Sequence, residues 1–276
     1  GLTTPETTAV MLALSFEMGM PIHFVAPAFG FQKNIPYPDN DKLRKMITPI
    51  WNICEKFGVS IGFHSGSGKS AENYQVAGDV TQSNLEIKTS GRYTYEMGVA
   101  LYNSTDSYDQ ELWRDWYNFT VELASNGCFA EDPTERKMAR EFVSLTVDEE
   151  SAQKAFISIE DCRSVLRSLE PSPDHFFWFE YNFLYVLAAA GASDKKALGD
   201  HSAEGYKQRQ RFYSISEEGR LLYVKRVAEY ILFLATNTSL VDSQVCENAK
   251  AELALINSYS NFIDSISQTN TLSSEY

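Results

Sequence analysis

A histidine at the tip of a predicted strand, followed at once by a polar glycine-rich loop, is the feature of this sequence best suited to chemistry. Residues 59–70 read VSIGFHSGSGKS, so His64 ends an apolar run and precedes two glycines. The run predicts a buried β-strand, and the loop predicts an active-site segment at its carboxyl end. A neutral imidazole there can bind a metal ion or shuttle a proton. The alternative is a buried structural histidine satisfied by a backbone carbonyl.

The same loop resembles a phosphate-binding P-loop at first sight, but its spacing is wrong. The P-loop pattern is G-x-x-x-x-G-K-[ST], which places its first glycine five residues before the second. Five residues before Gly68 stands Phe63, and Gly62 is one position too early. The count argues against nucleotide hydrolysis. The glycines still allow backbone N–H groups to point at an anion.

Two charged residues mark the end of the next predicted strand. Glu86 and Lys88 are two positions apart, so a strand places them on one face, and Thr89 follows. A carboxylate can bind a metal ion and an ammonium can bind an anionic substrate. The alternative is a salt-bridged, solvated edge. His175 and His201 stand in polar turns, where either could close over a site or cap the surface.

The elements that must position these residues alternate between strand and helix over the first hundred residues. We predict strands over 22–26, 59–64 and 85–89, and helices over 4–20, 42–57 and 92–101, with a long polar loop after 64. Such units imply parallel strands with helical crossovers, and parallel β/α proteins place their sites at the carboxyl ends of the strands.

The remainder of the chain is predicted to be mostly helical. Apolar residues at helical spacing predict helices over 110–125, 134–145, 151–169, 176–190 and 217–236. We therefore expect an α/β portion over residues 1–105, a helix-rich remainder of the same domain over 106–256, and a flexible tail over 257–276, which is rich in Ser, Asn and Thr.

Composition excludes several classes of partner. The formal net charge of −13 argues against a nucleic-acid backbone and against an anionic membrane surface. No apolar run reaches membrane-spanning length. The four cysteines form no C-x-x-C pair, which favours reduced thiols and a cytoplasmic location. An acidic protein that handles an acidic substrate must concentrate its cations locally.

At these residues the sequence resembles the tagaturonate epimerase family. The segments are TTPE at 3–6, VAPAF at 25–29, the strand and loop at 60–69, and EIKTSG at 86–91. The family typically shows P-T-T-P-E, then A-P-x-F, then H-S-G-S-D-K-F, then H-x-K-T-A-G. The resemblance covers residues 2 to 101, and the order and spacing of the segments are more specific than any one of them.

The resemblance implies a TIM-type (β/α) barrel, complete or partial, with a mostly helical carboxyl-terminal part. It implies metal-dependent epimerisation of tagaturonate and fructuronate, two acidic keto-sugars, by inversion at C3. A small-molecule sugar acid is then the partner, and a homo-oligomer stays open. The predicted site comprises catalytic His64 and Lys88, substrate-binding Ser65, Ser67, Lys69 and Thr89, and the divalent-metal ligands His64, Glu86 and His175.

The chain also departs from the family pattern. Gly68 replaces an aspartate, Ser70 replaces a phenylalanine, and Glu86 replaces a histidine. Glutamate can substitute for histidine as a ligand of a hard divalent ion. The family's acidic D-E-x-D motif precedes P-T-T-P-E, and this sequence starts after it, so we expect a truncated amino terminus. Two alternatives remain: a keto-acid aldolase with Lys69 or Lys88 as Schiff-base amine, and a non-catalytic sugar-acid-binding relative.

Overall fold

Three short parallel strands and their connecting helices form the first of two units into which the chain divides. The computed structural model describes residues 2–32, 35–187 and 210–270. The first unit comprises Gly1–Arg92 and Val227–Ile256, and the second comprises Tyr93–Arg226 and Asn257–Tyr276. The strands are β1 (Phe24–Val25), β2 (Ser60–Phe63) and β3 (Leu85–Ile87), and the helices between and before them are α1 (Pro5–Glu17), α2 (Asn40–Lys56) and α3 (Ala71–Thr81).

The sheet has one face packed against helices. Its strand order is β1-β2-β3, with Ile61 of β2 opposite Val25 and Leu85. Paired residues in a parallel register share a face. These three belong to a hydrophobic cluster with Phe63 and Ile87, and α2 and α3 contribute the other side of that cluster. We call this the covered face of the sheet.

Helix α3 replaces much of the predicted polar loop. The Ser70 side chain accepts from the Asn73 amide, and the Asn73 side chain accepts from the Ser70 amide. Such a capping box satisfies two of the helix's unpaired N–H groups. Val76 and Ala77 are buried against the covered face. The loop prediction was wrong here because the cap and the short apolar stripe lie in a segment of mixed polarity.

The second unit is helical. Its helices are α4 (Ser90–Asn103), α5 (Ser107–Gly127), α6 (Pro133–Ser144), α7 (Glu149–Ala155), α8 (Ile159–Arg167), α9 (Phe176–Leu187), α10 (Glu217–Asn237) and α12 (Tyr259–Asn270), while α11 (Ser243–Leu255) lies in the first unit. Helix α4 starts in the first unit, and α10 ends in it. The core is aromatic, with Trp113, Trp116 and Trp178 almost fully buried.

The α/β class, the parallel sheet and the helical remainder are confirmed, but the described residues do not form a closed barrel. Their sheet has three strands, and β1 and β3 do not pair with each other. The predicted helix over 151–169 is two helices because Ser158 caps α8 by accepting from the Asp161 amide. Helix α12 falls within the predicted flexible tail, and residues 188–190 of the predicted helix 176–190 lie outside the described residues.

The helices and the cysteines bear on the expectations about membrane spans and thiols. None of the helices in the described ranges is both long and apolar enough to cross a bilayer. All four cysteines are buried and free of disulfides.

Candidate functional site

The second face of the sheet is open to solvent and carries the predicted chemistry. Glu86 pairs with Gly62 in the register, and Phe24 lies against Gly62, where an added Cβ would come within 3.1 Å of its ring. Phe24 is 48% exposed, and Glu86 is also exposed. Because Gly62 has no side chain, the middle of this face is left unfilled. We call the face formed by Phe24, Ala26, Gly62, His64, Glu86 and Lys88 the open face.

A cavity of about 220 Å³ lies on the open face. His64 follows β2 directly, Glu86 lies in β3, and Lys88 follows β3. All three side chains are exposed. The cavity is lined by Phe24, Ala26, Gly62, Phe63, His64, Glu86 and Lys88. The structure thus brings together an imidazole, a carboxylate and an ammonium that the sequence predicts from two separate strand ends.

Two of the three predicted metal ligands lie on the open face. His64 and Glu86 line the same cavity. No group of three His, Cys, Asp or Glu side chains with metal-binding placement occurs within residues 2–32, 35–187 and 210–270. Magnesium is usually held by one or two protein carboxylates, with water and substrate oxygens completing its sphere. The pair does not make a closed structural zinc site, which takes four protein ligands, and the predicted metal-binding roles of His64 and Glu86 stay predictions.

The glycine loop, Ser65–Lys69, is strained and tightly packed. Ser65 adopts a left-handed φ of 54°, which a non-glycine residue rarely takes. A Cβ on Gly66 would come within 2.8 Å of the Ile87 side chain and 2.9 Å of the Phe63 carbonyl oxygen. Gly66 is therefore required by close approach rather than by its own dihedral angles.

Two amides of this loop donate to tyrosine hydroxyls, and the expected use of the loop's N–H groups on an anion stays a prediction. The Gly68 amide donates to Tyr230 Oη at 3.3 Å. The Lys69 amide donates to Tyr74 Oη at 3.2 Å. Both tyrosine rings are buried. Sequence analysis missed both, since Tyr74 lies in the predicted loop and Tyr230 is 162 residues from Gly68.

Lys69 lies on the helix-covered side of the sheet. It is 5% exposed, and its Nζ donates to the carbonyl oxygens of Gln32 at 2.5 Å, Ile35 at 2.8 Å and Ser67 at 3.3 Å. Its ammonium also lies 5.2 Å from the centre of the Phe31 ring. The lysine joins two loops by hydrogen bonds, and its predicted contact with substrate stays a prediction.

The other predicted site residues occupy different surroundings. Ser67 is buried and Ser65 is half-buried, and neither lines the open-face cavity. The Thr89 carbonyl accepts from the Arg92 amide at 2.8 Å at the start of α4. His201 lies outside the described residues. The structure does not test the substrate-binding roles of Ser65, Ser67 and Thr89.

His175 belongs to the second unit. Its Nδ1 lies 2.6 Å from Tyr117 Oη, and its ring stacks on Phe177. Burial lowers the pKa of His175 below its ordinary value, while the nearby Asp174 carboxylate opposes that shift. The predicted role of His175 as a metal ligand stays a prediction.

The chain is similar in structure to an enzyme of the family that its motifs resemble. It matches a glycerol-bound structure of fructuronate-tagaturonate epimerase UxaE from Cohnella laeviribosi with a TM-score of 0.49 and 17% identity, over 87% of this chain and 43% of that chain. The native structure of that enzyme matches with a TM-score of 0.48 and 16% identity, over 85% and 43%. No family model and no curated protein matches the chain. The chain spans less than half the length of the solved structures.

Proposed function

We propose that the open face binds an acidic keto-sugar and catalyses its epimerisation at C3, as between tagaturonate and fructuronate. One observation carries the proposal: His64, Glu86 and Lys88 line a single cavity at the carboxyl ends of parallel strands. Its volume of about 220 Å³ is below the roughly 300–1,000 Å³ of pockets for drug-sized ligands, which suits a small molecule. The motif resemblance of residues 2–101 supports the choice of substrate.

Counted from the carboxylate carbon, C3 of these two sugars carries a hydroxyl and lies two carbons from the C5 ketone, so the ketone does not acidify the C3–H bond. Inversion instead proceeds by cleavage: the C3 hydroxyl loses its proton, the C3–C4 bond breaks to give a C3 aldehyde and a C4–C5 enediolate, and the enediolate adds back to the opposite face of the aldehyde. His64 takes or returns the hydroxyl proton. Lys88 faces the same cavity and supplies a positive charge for the developing enediolate or for the uronate carboxylate. This local cation is what a protein with a net charge of −13 needs to hold an anionic substrate.

We further propose that a divalent cation takes part, held by Glu86 and completed by water and substrate oxygens. In this proposal His64 stays free as the acid or base, because an imidazole nitrogen bound to a metal ion has no lone pair for a proton. When bound, such an ion would polarise the ketone oxygen. An oxygen ligand such as Glu86 suits a hard cation.

In this proposal the open face is the inner face of a TIM-type barrel, of which β1, β2 and β3 are consecutive strands. Parallel sheets are normally covered on both faces, so an uncovered face agrees with a sheet that continues beyond three strands. The four free cysteines agree with a reducing, cytoplasmic setting. We propose no nucleic-acid or membrane partner.

Formation of tagaturonate tests the proposed reaction. The protein is incubated with fructuronate and Mg²⁺, and the signals of the product are followed by NMR. We expect tagaturonate with wild type and a rate lower by about 10²–10⁴-fold with His64→Ala, the usual contribution of a general acid or base. Lys56→Met, an exposed lysine on α2, is the control and should keep full activity. No tagaturonate with wild type would refute the reaction.

In the aldolase alternative, with Lys69 or Lys88 as the Schiff-base amine, the surroundings of the two lysines favour Lys88. Its side chain faces the cavity, whereas Lys69 Nζ is bonded to three carbonyl oxygens. Borohydride trapping in the presence of a keto-acid would leave a covalent adduct on Lys88 if the protein is an aldolase, and none if it is an epimerase. Binding of fructuronate without either outcome would favour the non-catalytic relative.

A further inference from the structure

Two tyrosine hydroxyls form a hydrogen-bonded path across the glycine loop, and its direction can be assigned. Tyr74 Oη donates to the Gly66 carbonyl at 2.6 Å. Tyr74 and Tyr230 hydroxyls lie 3.1 Å apart. A tyrosine hydroxyl has one proton, and that of Tyr74 is used on Gly66. Tyr230 must therefore donate to Tyr74.

The path begins and ends on the same loop. The Gly68 amide donates to Tyr230, Tyr230 donates to Tyr74, and Tyr74 donates to the Gly66 carbonyl. The Lys69 amide donates to Tyr74 as well. Three of the loop's backbone polar groups are thereby satisfied by side chains from α3 and α10. Such groups are costly when buried without partners.

The loop needs external support because its own backbone is strained. Ser65 and Gly68 both have positive φ, at 54° and 67°, and the strain at Ser65 is that of a non-glycine residue. Strained backbone persists where the surrounding structure holds it. Ser65 directly follows His64, so any relaxation of this turn moves the imidazole.

The tyrosine pair is itself well fixed. The Arg92 guanidinium lies 5.0 Å from the centre of the Tyr230 ring, and Phe233 contacts the rings of both tyrosines. Burial raises the pKa of Tyr74 far above its ordinary value, so its hydroxyl keeps the proton that it donates. All of these residues belong to the first unit.

We propose that Tyr230, acting through Tyr74 and the glycine loop, is a positioning residue for His64. It holds the turn that sets the direction of the imidazole at the end of β2. The importance of that direction rests on the proposed function, while the positioning itself can be measured without any substrate.

Amide exchange and the His64 ring signals test this inference on the metal-free protein. Tyr230→Phe removes the acceptor of the Gly68 amide and keeps the ring packing. We expect exchange of the Gly68 amide to rise about tenfold, as for one lost hydrogen bond, and the His64 ring resonances to shift. In Tyr74→Phe the largest rise in exchange is expected at the Lys69 amide, which loses its acceptor.

Tyr37→Phe is the matched control, because its hydroxyl contacts Met46 Sδ at 3.8 Å in the same unit. It should leave the Gly68 amide and the His64 ring unchanged. Unchanged Gly68 exchange or unchanged His64 signals in Tyr230→Phe would overturn the inference. So would a general loss of protection at core amides such as Ile47 and Ile50, which would make Tyr230 a residue of the fold alone. Failure of the proposed reaction would appear only as the absence of tagaturonate with wild type.

Discussion

The core of the second unit and the open face of the first unit treat large side chains in opposite ways. Trp116 and Trp178 are completely buried and lie 5.6 Å apart between ring centres. Phe24 on the open face is 48% exposed, and the charged residues around it are exposed as well. The core holds aromatic residues whose burial stabilises the fold, while exposed charges such as those of the open face usually contribute little to stability. Exposed charged side chains can contact a ligand, so the open face is the better candidate for function.

The largest effect should come from emptying the aromatic core. Trp178 contacts Trp113 at 4.9 Å between ring centres. Trp178→Ala should cost about 3–5 kcal/mol in the free energy of unfolding, because it leaves a cavity that the neighbours cannot fill. Urea unfolding followed by circular dichroism measures this. Met138→Ala, at a residue that is 48% exposed, should stay within about 0.5 kcal/mol. If Trp178→Ala lowered the free energy of unfolding as little as Met138→Ala, the contrast between the aromatic core and the exposed surface would be wrong.

Lys69 and Lys88, both in the first unit, are expected to contribute to different properties, Lys69 to stability and Lys88 to substrate binding. Lys69→Met removes the donor to three carbonyl oxygens and should cost about 1–3 kcal/mol of unfolding free energy. Lys88→Met should leave stability within about 0.5 kcal/mol and should weaken binding of fructuronate. Urea unfolding and calorimetric titration of each variant decide this. The reverse pattern, with Lys88 stabilising and Lys69 silent, would contradict the assignment of the two lysines.

A smaller effect is expected from pH in the second unit. Burial lowers the pKa of His175 below the ordinary 6.5, so the unfolded chain takes up a proton before the folded one does. The stability from this residue is complete above about pH 6.5 and is lost as pH falls below it. His175→Gln should therefore lose less Tm than wild type between pH 7.5 and 5.5.

Tyr117→Phe distinguishes burial from hydrogen bonding as the cause. It removes the hydroxyl at 2.6 Å from His175 Nδ1 but keeps the ring that buries the imidazole. Most of the pH dependence should remain in this variant, because burial is the main cause of the shift. An equal slope in wild type and His175→Gln would refute the role of His175.

Local patterns predicted the strand ends well. The apolar run before His64 and the spacing of Glu86 and Lys88 both depend on the two-residue period of a strand, and the structure places all three on one cavity. The same reasoning failed for α3, whose start depends on the reciprocal bonds of Ser70 and Asn73. Polar residues such as Ser70 and Asn73 occur both in helix caps and in loops, so the sequence alone favoured a loop here.

Long-range contacts were beyond sequence reasoning. Two of the three carbonyls that accept from Lys69 belong to residues 34 and 37 positions away, and Tyr230 reaches the glycine loop from 162 positions away. No periodicity encodes such pairs, since they arise from the packing of whole elements. Sequence therefore located the candidate site but misread the environment of the loop beside it.

The claim that the open face is the site can be tested by mapping a bound sugar acid. Amide chemical shifts of ¹⁵N-labelled protein are recorded with increasing fructuronate and Mg²⁺. The account predicts the largest changes at Gly62, His64, Glu86 and Lys88. Changes concentrated in the second unit, around His175, or no saturable change at all, would contradict it.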